Sequence, residues 1–573
     1  MEGTMARIRL IEIRNFRCIQ QLIWAPSAGI NCLIGPGDSG KSSILDAIDF
    51  CLGARRSLAF TDADFYRLDV TSPITITVTV GELDDTLKSM ESYGSYLRSF
   101  NAATGVVEDE PEAEAETVLS VRLTVGSDLD PVWTLVSDRA EAAGQSRFLT
   151  WADRARLAPN RVGALADHNL AWRRGSVLNR LSDERPEMAA ALADAARNAR
   201  AAFGDLADAQ LGDTLRIVET TAQSLGITIG EGLKAMLDSH SVSFSGGTIA
   251  LHGADGVPLR ALGIGSTRLL LAGLQRQAAQ EATVVLIDEL EHGLEPHRIL
   301  RLLSSIGAKD VAPPLQAFIT THSPVAIREL RGDQLFVVRK AAGRHDAMAV
   351  GLDDQVQGTI RLYPEAFLAP SVIVCEGASE VGLLRGMDLH RAGRGEQSIT
   401  AAGISWVDAK GITQVYGRAA AFQALGYRVA VLRDDDVQPD AAEEAAFRAN
   451  GGAVFRWRDG CALEDELFRC LSDAAAANLL GRAVELLDAD LVDDHIRSAS
   501  NGQHNHAACV FGLSPETRET LGRAARSKKG SWFKSVTKME EAARDIVFPN
   551  LATADEPFRN TITAIEQWMF RGA

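Results

Sequence analysis

Eight residues constrain this chain more than any others. Gly35 to Ser42 reads GPGDSGKS, directly after a short apolar run, INCLI (30–34), and directly before a stretch with helical spacing (42–52). The pattern is G-x-x-x-x-G-K-[ST] between a strand and a helix, the setting that gives it meaning. Gly35, Gly37 and Gly40 are expected to let backbone N–H groups close around phosphate oxygens, and the helix N-terminus adds positive potential. Lys41 is placed to neutralise β/γ phosphates, Ser42 offers a hydroxyl to Mg²⁺, and Ser43 follows in the first helical turn. A chance glycine-rich turn would not come with both flanks, so the expectation is a site for ATP with magnesium.

Two further strand ends fit that expectation. TVVLIDE (283–289) is an apolar run closed by Asp288 and Glu289. Asp288 would hold magnesium through its water shell, and Glu289 would orient or deprotonate an attacking water. Alone, the two acids would read as a solvated strand cap. QAFITTHSP (316–324) brings His322 to another strand end. A lone histidine is usually structural, but in this position it reads as a sensor of the γ-phosphate.

A length of 573 residues exceeds one core and implies two or three domains. The apolar and charged fractions, 46% and 24%, are those of an ordinary soluble globular protein. No apolar run is long enough to span a membrane and the start lacks an apolar signal core. The seven cysteines (18, 32, 51, 375, 461, 470, 509) show no paired spacing. They read as reduced, buried thiols of a cytoplasmic protein. A net charge of −17 argues against general attraction to nucleic acid but not against a local one. The run Glu108 to Glu116 (EDEPEAEAE) reads as a solvated loop. Against it stands Arg518 to Lys534, RETLGRAARSKKGSWFK, with six basic residues and one acid. That run is either a solvated helix face or a phosphate-contact patch.

Strand-like runs fall at 6–14, 30–34, 74–80, 283–287, 316–319, 371–375 and 427–432. Strand–helix alternation on both sides of a linker predicts an α/β chain with two α/β domains. The expected boundaries are an ATPase domain over 1–83 and 236–345, interrupted by a helical insertion at 84–235. A linker at 346–368 follows, then a second α/β domain with a basic helical end at 369–573. The insertion is read from its Ala, Arg, Leu and acid content, including MAAALADAARNARAAF (188–203). It is expected to serve dimerisation.

The second domain carries acids where ligands gather in open α/β sheets, at the carboxyl ends of strands. SVIVCEGASE (371–380) ends a strand in Glu376, with Glu380 four residues on. VLRDDDVQPD (431–440) puts three aspartates after another. If the chain stays extended, Asp434 and Asp436 project to one side and Asp435 to the other. Carboxylates converging on one rim repel unless cations sit between them, and hard oxygen ligands suit Mg²⁺ or Mn²⁺.

These motifs together resemble a known family. The strand and turn IEIRNFRCI (11–19), the phosphate loop and the strand ending at Asp288 are similar to the ABC-type ATPase of the SMC, RecF and OLD (overcoming lysogenization defect) proteins. LGIGSTRLLLAGL (262–274) stands where that group's signature motif is expected, with Gly263 in place of serine. No glutamine marks the Q-loop, although Asp64 and Phe65 lie in that region. In such ATPases the signature of one subunit completes the site of another, so the resemblance implies a homodimer or a higher homo-oligomer. Glu-Gly-x-x-Glu at 376–380, VDAKG at 407–411 and Asp-x-Asp at 434–436 resemble the Toprim domain. A topoisomerase would need a strand-cleaving tyrosine, yet Tyr416 and Tyr427 fall in core elements. A primase would bring zinc-ribbon cysteine pairs, which are missing; GQHNHAACV (502–510) has no second ligand pair.

The order ATPase then Toprim is that of the OLD nucleases. Within them the chain looks most like the class that includes the Gabija antiphage nuclease and acts with a UvrD-like helicase. The resemblance implies a metal site of Glu376, Glu380, Asp434, Asp436 and Glu464 (from LEDEL, 463–467). It also implies a catalytic lysine, Lys534, in GSWFKS (530–535). Arg523, Arg526, Lys528 and Lys529 would then guide the DNA backbone. The function so implied is a metal-dependent DNA endonuclease or nickase under control of ATP. A second reading is a RecF- or SMC-like clamp whose Toprim domain binds DNA without cutting it.

Overall fold

The structure, a computed structural model, describes residues 6–54, 58–162, 178, 189–224, 251–252, 254, 256–277, 284–341, 343–527 and 529–570. It divides into two compact units, Met1–Cys32 with Gly40–Thr321, and Leu33–Ser39 with His322–Ala573.

In the first unit, β1 (Arg7–Phe16) alternates as its sequence predicts, with Ile11 and Ile13 buried and Glu12 and Arg14 turned outward. It pairs antiparallel with β2 (Ile19–Trp24) and β4 (Ile74–Gly81). β3 (Ile30–Ile34) leads through the glycine loop into α1 (Lys41–Leu52). The antiparallel strands continue through β5 (Arg98–Asn101), β6 (Val106–Glu108), β7 (Glu116–Val125) and β8 (Pro131–Leu135), with β7 set beside β4. β9 (Asn160–Val162), β10 (Val284–Ile287) and β11 (Gln316–Thr320) are parallel. Every residue of β10 and β11 is buried, as parallel strands covered on both faces require.

This corrects the expectation of a helical insertion over 84–235. Five strands lie within residues 98–162, and among the described residues of the segment only α2 (Ala189–Ser224) is the expected long helix. In β7, ETVLSVRLTV, Leu119 to Val125 alternate apolar and polar, with Leu119, Val121, Leu123 and Val125 buried, but the Ala, Arg, Leu and acid content of the whole segment outweighs that short period. Residues 163–177, 179–188 and 225–235 of the insertion lie outside the described residues. α3 (Ile264–Gln277) carries the signature-like segment.

In the second unit, the stretch expected as a linker (346–368) holds the end of a strand and a short helix. β12 (Leu335–Ala341) and β13 (Arg344–Ala349) form an antiparallel pair, and α4 (Asp354–Leu362) follows, capped by Asp353. The unit's main sheet has the order β15-β14-β16-β17 and is parallel throughout: β14 (Ser371–Cys375), β15 (Ile404–Asp408), β16 (Arg428–Arg433) and β17 (Ala453–Arg456). Crossover helices α5 (Ala378–Gly393), α6 (Ile412–Ala424) and α7 (Ala441–Ala449) join consecutive strands. α8 (Leu463–Cys470), α9 (Pro515–Ala525) and α10 (Val536–Ala542) complete the part that surrounds the acids.

One packing detail sets the site. α5 has glycines one turn apart at 382 and 386, and α10 lies directly on them. A Cβ at Gly382 would sit 2.6 Å from the Val536 carbonyl oxygen, and one at Gly386 would sit 2.5 Å from Ala543 Cβ. No side chain fits there, so α10, which begins one residue after Lys534 and Ser535, is held tightly against the helix that bears Glu380.

Candidate functional site

The glycine loop has the backbone its motif demands at two of the three glycines. Gly35 has φ +132° and Gly40 has φ +90°, the region that residues with a Cβ avoid. Gly37 is held by no such angle. It is exposed, its φ lies outside the left-handed region, and a Cβ added there would meet nothing within 4 Å. The left-handed turn falls instead on its neighbour Asp38, at φ 57°. The fold therefore requires glycine at 35 and 40, while at Gly37 only an approaching phosphate would.

Lys41 opens α1 and is buried, and Ser42 is exposed behind it. Ser42 Oγ donates to Asp288 Oδ1 at 3.0 Å, which joins the phosphate loop's helix to the end of β10. Ser43 turns instead toward Cys18 Sγ, 3.8 Å away. Asp288 Oδ1 also accepts from Thr320 Oγ1 at 2.6 Å. Glu289 is solvent-exposed and takes φ 47°, a left-handed conformation uncommon for residues other than glycine. His322 is exposed two residues past β11.

Two arginines that sequence reasoning missed complete this place. Arg161, on β9, sets Nη2 3.2 Å from Asp288 Oδ2 and pairs through Nη1 with Asp46 and, at 3.7 Å, Asp49. Burial disfavours its charge, but those acids more than compensate and raise its pKa. Arg268, buried on α3, donates to the backbone oxygens of Asp288, Glu289 and His292 at 2.7–2.9 Å. A cavity of about 360 Å³ opens among Arg161, Ile264, Arg268, Asp288, Glu289 and His292. No spacing rule flags Arg161, because a three-residue edge strand leaves no period to read.

In the second unit the acids meet at the carboxyl ends of the parallel strands. Glu376 follows β14 and its Oε2 accepts from the Asp434 N–H at 3.1 Å. Asp434 follows β16 and accepts from Leu463 N–H at 2.9 Å through Oδ1. Glu464, on α8, accepts from Ser379 Oγ at 3.0 Å. Glu380, in the first turn of α5, folds back to Gly377 N–H at 2.9 Å through Oε2. Its other oxygen, Oε1, is buried without a hydrogen-bond partner.

The electrostatics follow from this crowding. Burial, then Glu464 and Glu376, push the Glu380 carboxyl up to about 7. Burial, then Glu380, Glu464 and Glu376, hold Asp434 well above the carboxylate range. Burial also raises Glu464 and Glu376, and Lys534 eases both. An orphaned, buried carboxylate oxygen among mutually repelling acids is the donor set of a hard divalent cation, and these residues fit one. Among the described residues no three His, Cys, Asp or Glu side chains are arranged to hold one ion as they stand.

The three aspartates separate by role. Asp434 faces the acids. Asp435 is buried, and its carboxylate accepts from Arg433 Nη1 at 3.0 Å, Arg456 Nη1 at 2.8 Å and Gly460 N–H at 3.1 Å. Burial alone would raise its pKa, but these donors bring it to about 2. Asp436 is exposed and pairs with Arg526 Nη1 at 2.7 Å, near enough to Glu376 to raise it. Lys534 is placed by the buried side chains before it: Trp532 donates from Nε1 to His495 Nδ1 at 3.1 Å, and Phe533 is buried in the core. Lys534 itself is exposed. Of the basic run, Arg518 turns inward to the Phe468 and Leu471 oxygens, Arg523 and Lys529 are exposed, and Lys528 lies outside the described residues. All seven cysteines are free. No helix among the described residues is long and apolar enough to cross a membrane.

The chain is similar to known proteins in both of its parts. A family model described as "AAA domain, putative AbiEii toxin, Type IV TA system" matches residues 30–328, and one described as "Overcoming lysogenization defect protein-like, TOPRIM domain" matches residues 367–436. The chain is 25% identical to an OLD nuclease of Thermus scotoductus over 493 residues, 77% of this chain and 84% of that one. It is 51% identical to the DNA replication and repair protein RecF of Prosthecochloris aestuarii, over 45 residues that make up 12% of that protein. Among solved structures, an Smc head bound to the C-terminal winged-helix domain of ScpA overlaps 60% of this chain and 96% of that one, at 16% identity and a TM-score of 0.34. With one model over more than half its length, the chain belongs to the AAA-domain family of that model, and residues 367–436 match the TOPRIM domain of overcoming lysogenization defect (OLD)-like proteins.

Proposed function

We propose that this chain is a metal-dependent DNA endonuclease or nickase, acting in antiphage defence or DNA processing under the control of its ATPase domain. The observation that carries the reading is the acid cluster: four carboxylates from β14, α5, β16 and α8 crowd together beside an exposed lysine, and one buried oxygen has no partner. Glu376, Glu380, Asp434 and Glu464 would hold Mg²⁺ or Mn²⁺, with Asp436 at the rim. The ion, when bound, would activate water and stabilise the departing oxygen. Lys534, close enough to ease Glu376 and Glu464, would offset negative charge on a scissile phosphate. Ser42 and Asp288 would hold the magnesium of ATP, Lys41 its phosphates, and Glu289 and His322 would serve the γ-phosphate. Gly35, Gly37 and Gly40 would leave the loop's N–H groups open to those phosphates.

The homodimer, and a separate UvrD-like helicase, are proposed from resemblance to the OLD class. The second reading, a DNA clamp with a non-cutting Toprim domain, has no observation of its own, and the Lys534 placement speaks for chemistry. The test is purified protein on supercoiled plasmid with Mg²⁺ or Mn²⁺, with and without ATP. Asp434→Ala abolishes nicking and linearisation while ATP still binds. Lys41→Ala weakens nucleotide binding and leaves divalent binding at the acids intact. Undiminished cleavage by Asp434→Ala sinks the assignment.

A further inference from the structure

Beside the acid cluster, still within the second unit, a cavity of about 600 Å³ is walled by Arg469, Arg518, Arg523 and Arg526 together with Asp465 and Cys461. That volume is in the range of pockets that hold small organic ligands, and is roomy enough for a nucleotide unit of a DNA strand. Arg526 is the residue this cavity shares with the acids. Its Nη1 lies 2.7 Å from Asp436 Oδ2, and its Nε lies 3.2 Å from Asp465 Oδ2. The Nε contact is ionic only: that nitrogen is buried without an aligned acceptor, so the guanidinium donates well to one acid and is under-used toward the other. It caps the very carboxylate that the Asp-x-Asp pattern offers to an ion.

We propose that Arg526 is an exchange residue, which stands in for a cation at Asp436 in the metal-free protein and turns to a DNA backbone phosphate in the arginine-lined cavity once a divalent ion takes that carboxylate. The inference rests on the reading that the acid cluster binds a divalent ion and that the unit engages DNA. Its physical basis is competition. Asp436 cannot serve a guanidinium and a hard dication in full at once, and the dication wins on charge. A guanidinium released from a carboxylate matches a phosphate in the same planar, two-donor geometry. Arg523 already faces the cavity and needs no release, because its partner Glu519 is a neighbour on its own helix at 3.2 Å. Coupling of this kind is reciprocal: the ion strengthens DNA binding and DNA strengthens ion binding by the same factor.

The experiment uses the full chain and Mn²⁺ or Ca²⁺ as the probe ion. In the first arm, without DNA, ion binding is measured by calorimetry for wild type and Arg526→Gln. The variant binds the ion about two- to fivefold more tightly, the worth of a half-exposed ion pair no longer competing. A merely structural role for Arg526 would weaken binding instead. In the second arm, a labelled short duplex, checked to be intact, is titrated by anisotropy with Ca²⁺ and with chelator. Wild type gains DNA affinity from the ion, Arg526→Gln loses that gain, and Arg523→Ala weakens binding equally in both conditions. Ion binding by wild type with no tightening in Arg526→Gln overturns the exchange alone. A wild-type protein that binds no ion overturns the reading beneath it as well.

Discussion

Glu380→Gln separates a site built for a cation from a site built for stability. The Glu380 carboxyl is fully buried, with Oε2 on the Gly377 N–H at 2.9 Å and Oε1 on nothing. Burial and then the carboxylates of Glu464 and Glu376 move it from 4.5 to about 7. At about 1.4 kcal/mol per unit, keeping this group ionised in the metal-free fold costs on the order of 3 kcal/mol. The sign follows from the direction of the shift. A folded pKa above the unfolded one gives stability that is complete below about pH 4.5, declines as pH rises, and is gone above about 7. Glutamine keeps the acceptor for Gly377 and carries no charge, so near pH 8 in chelator the variant is the more stable protein. For a unit of this size, about 3 kcal/mol corresponds to roughly 6–12 °C in melting temperature. The assay is thermal melting in chelator near pH 5 and near pH 8, with and without Mn²⁺. The gap between the proteins opens with pH, Mn²⁺ raises wild type more than the variant, and the variant does not cut DNA. A variant that melts at or below wild type near pH 8 in chelator refutes the crowding argument.

Three other outcomes follow from the same geometry. Asp435→Ala removes one of two carboxylate partners of buried Arg433, Glu444 remaining at 3.1 Å, and is expected to destabilise the chain by about 1–3 kcal/mol, seen by denaturant titration, with divalent affinity retained. Because the Asp435 pKa is lowered to about 2, its contribution is present above about pH 4 and fades only as pH falls toward 2. Arg161→Ala takes a shared cation from Asp46, Asp49 and Asp288, so melting temperature falls in chelator, and in a Glu380→Gln background, where ion binding at the second unit's acids is removed, Mg²⁺ restores part of the loss; equal melting with and without Mg²⁺ in that background would count against Asp288 as a magnesium contact. Gly386→Val forces α10 off α5 and costs about 1–3 kcal/mol or more, and displaces Lys534, so cleavage rate drops further than DNA affinity in paired rate and anisotropy measurements.

Legibility in the sequence followed how local each signal is. The phosphate loop, β10 with Asp288, and the strand ends at Glu376 and Asp434 were readable because each is a short apolar run closed by a chemical residue. Within that loop the letters could not rank the glycines: Gly35 and Gly40 are fixed by backbone angle, whereas Gly37 has open space where a Cβ would go. The split of the aspartate run was readable from the two-residue period of an extended chain, which predicts that Asp435 points away from its neighbours. What alternation does not say is that Asp435 would be the most firmly held of the three, since its partners Arg456 and Gly460 come from a later strand and turn. The strands within 98–162 were outweighed by the composition of the whole segment, although β7 alternates from Leu119 to Val125, and β13 was hidden because Arg344–Ala349 (RHDAMA) opens with three polar residues and shows no alternation. Arg161 and Arg268 could not be found at all: they act through tertiary contacts to Asp288 and to backbone oxygens, which no pattern in their own segments encodes.

The two acid sites answer the same electrostatic problem differently, and the difference bears on how each should respond to ions. Asp288 is already satisfied: Ser42 and Thr320 donate to one oxygen and Arg161 pairs with the other. An ion arriving there trades one set of partners for another, so the net gain is small and the nucleotide's phosphates must supply the rest. The Toprim cluster is unsatisfied where it matters, at Glu380 Oε1, and its acids repel. An ion there removes a standing penalty, so its binding is favourable without any second ligand. Divalent ions alone should therefore stabilise the second unit, whereas the first should need nucleotide and ion together. Melting of the Lys41→Ala and Glu380→Gln variants against Mn²⁺, with and without a non-hydrolysable ATP analogue, separates the two. A Glu380→Gln chain that still gains its full stabilisation from Mn²⁺ alone would show that the ion acts elsewhere than on these acids.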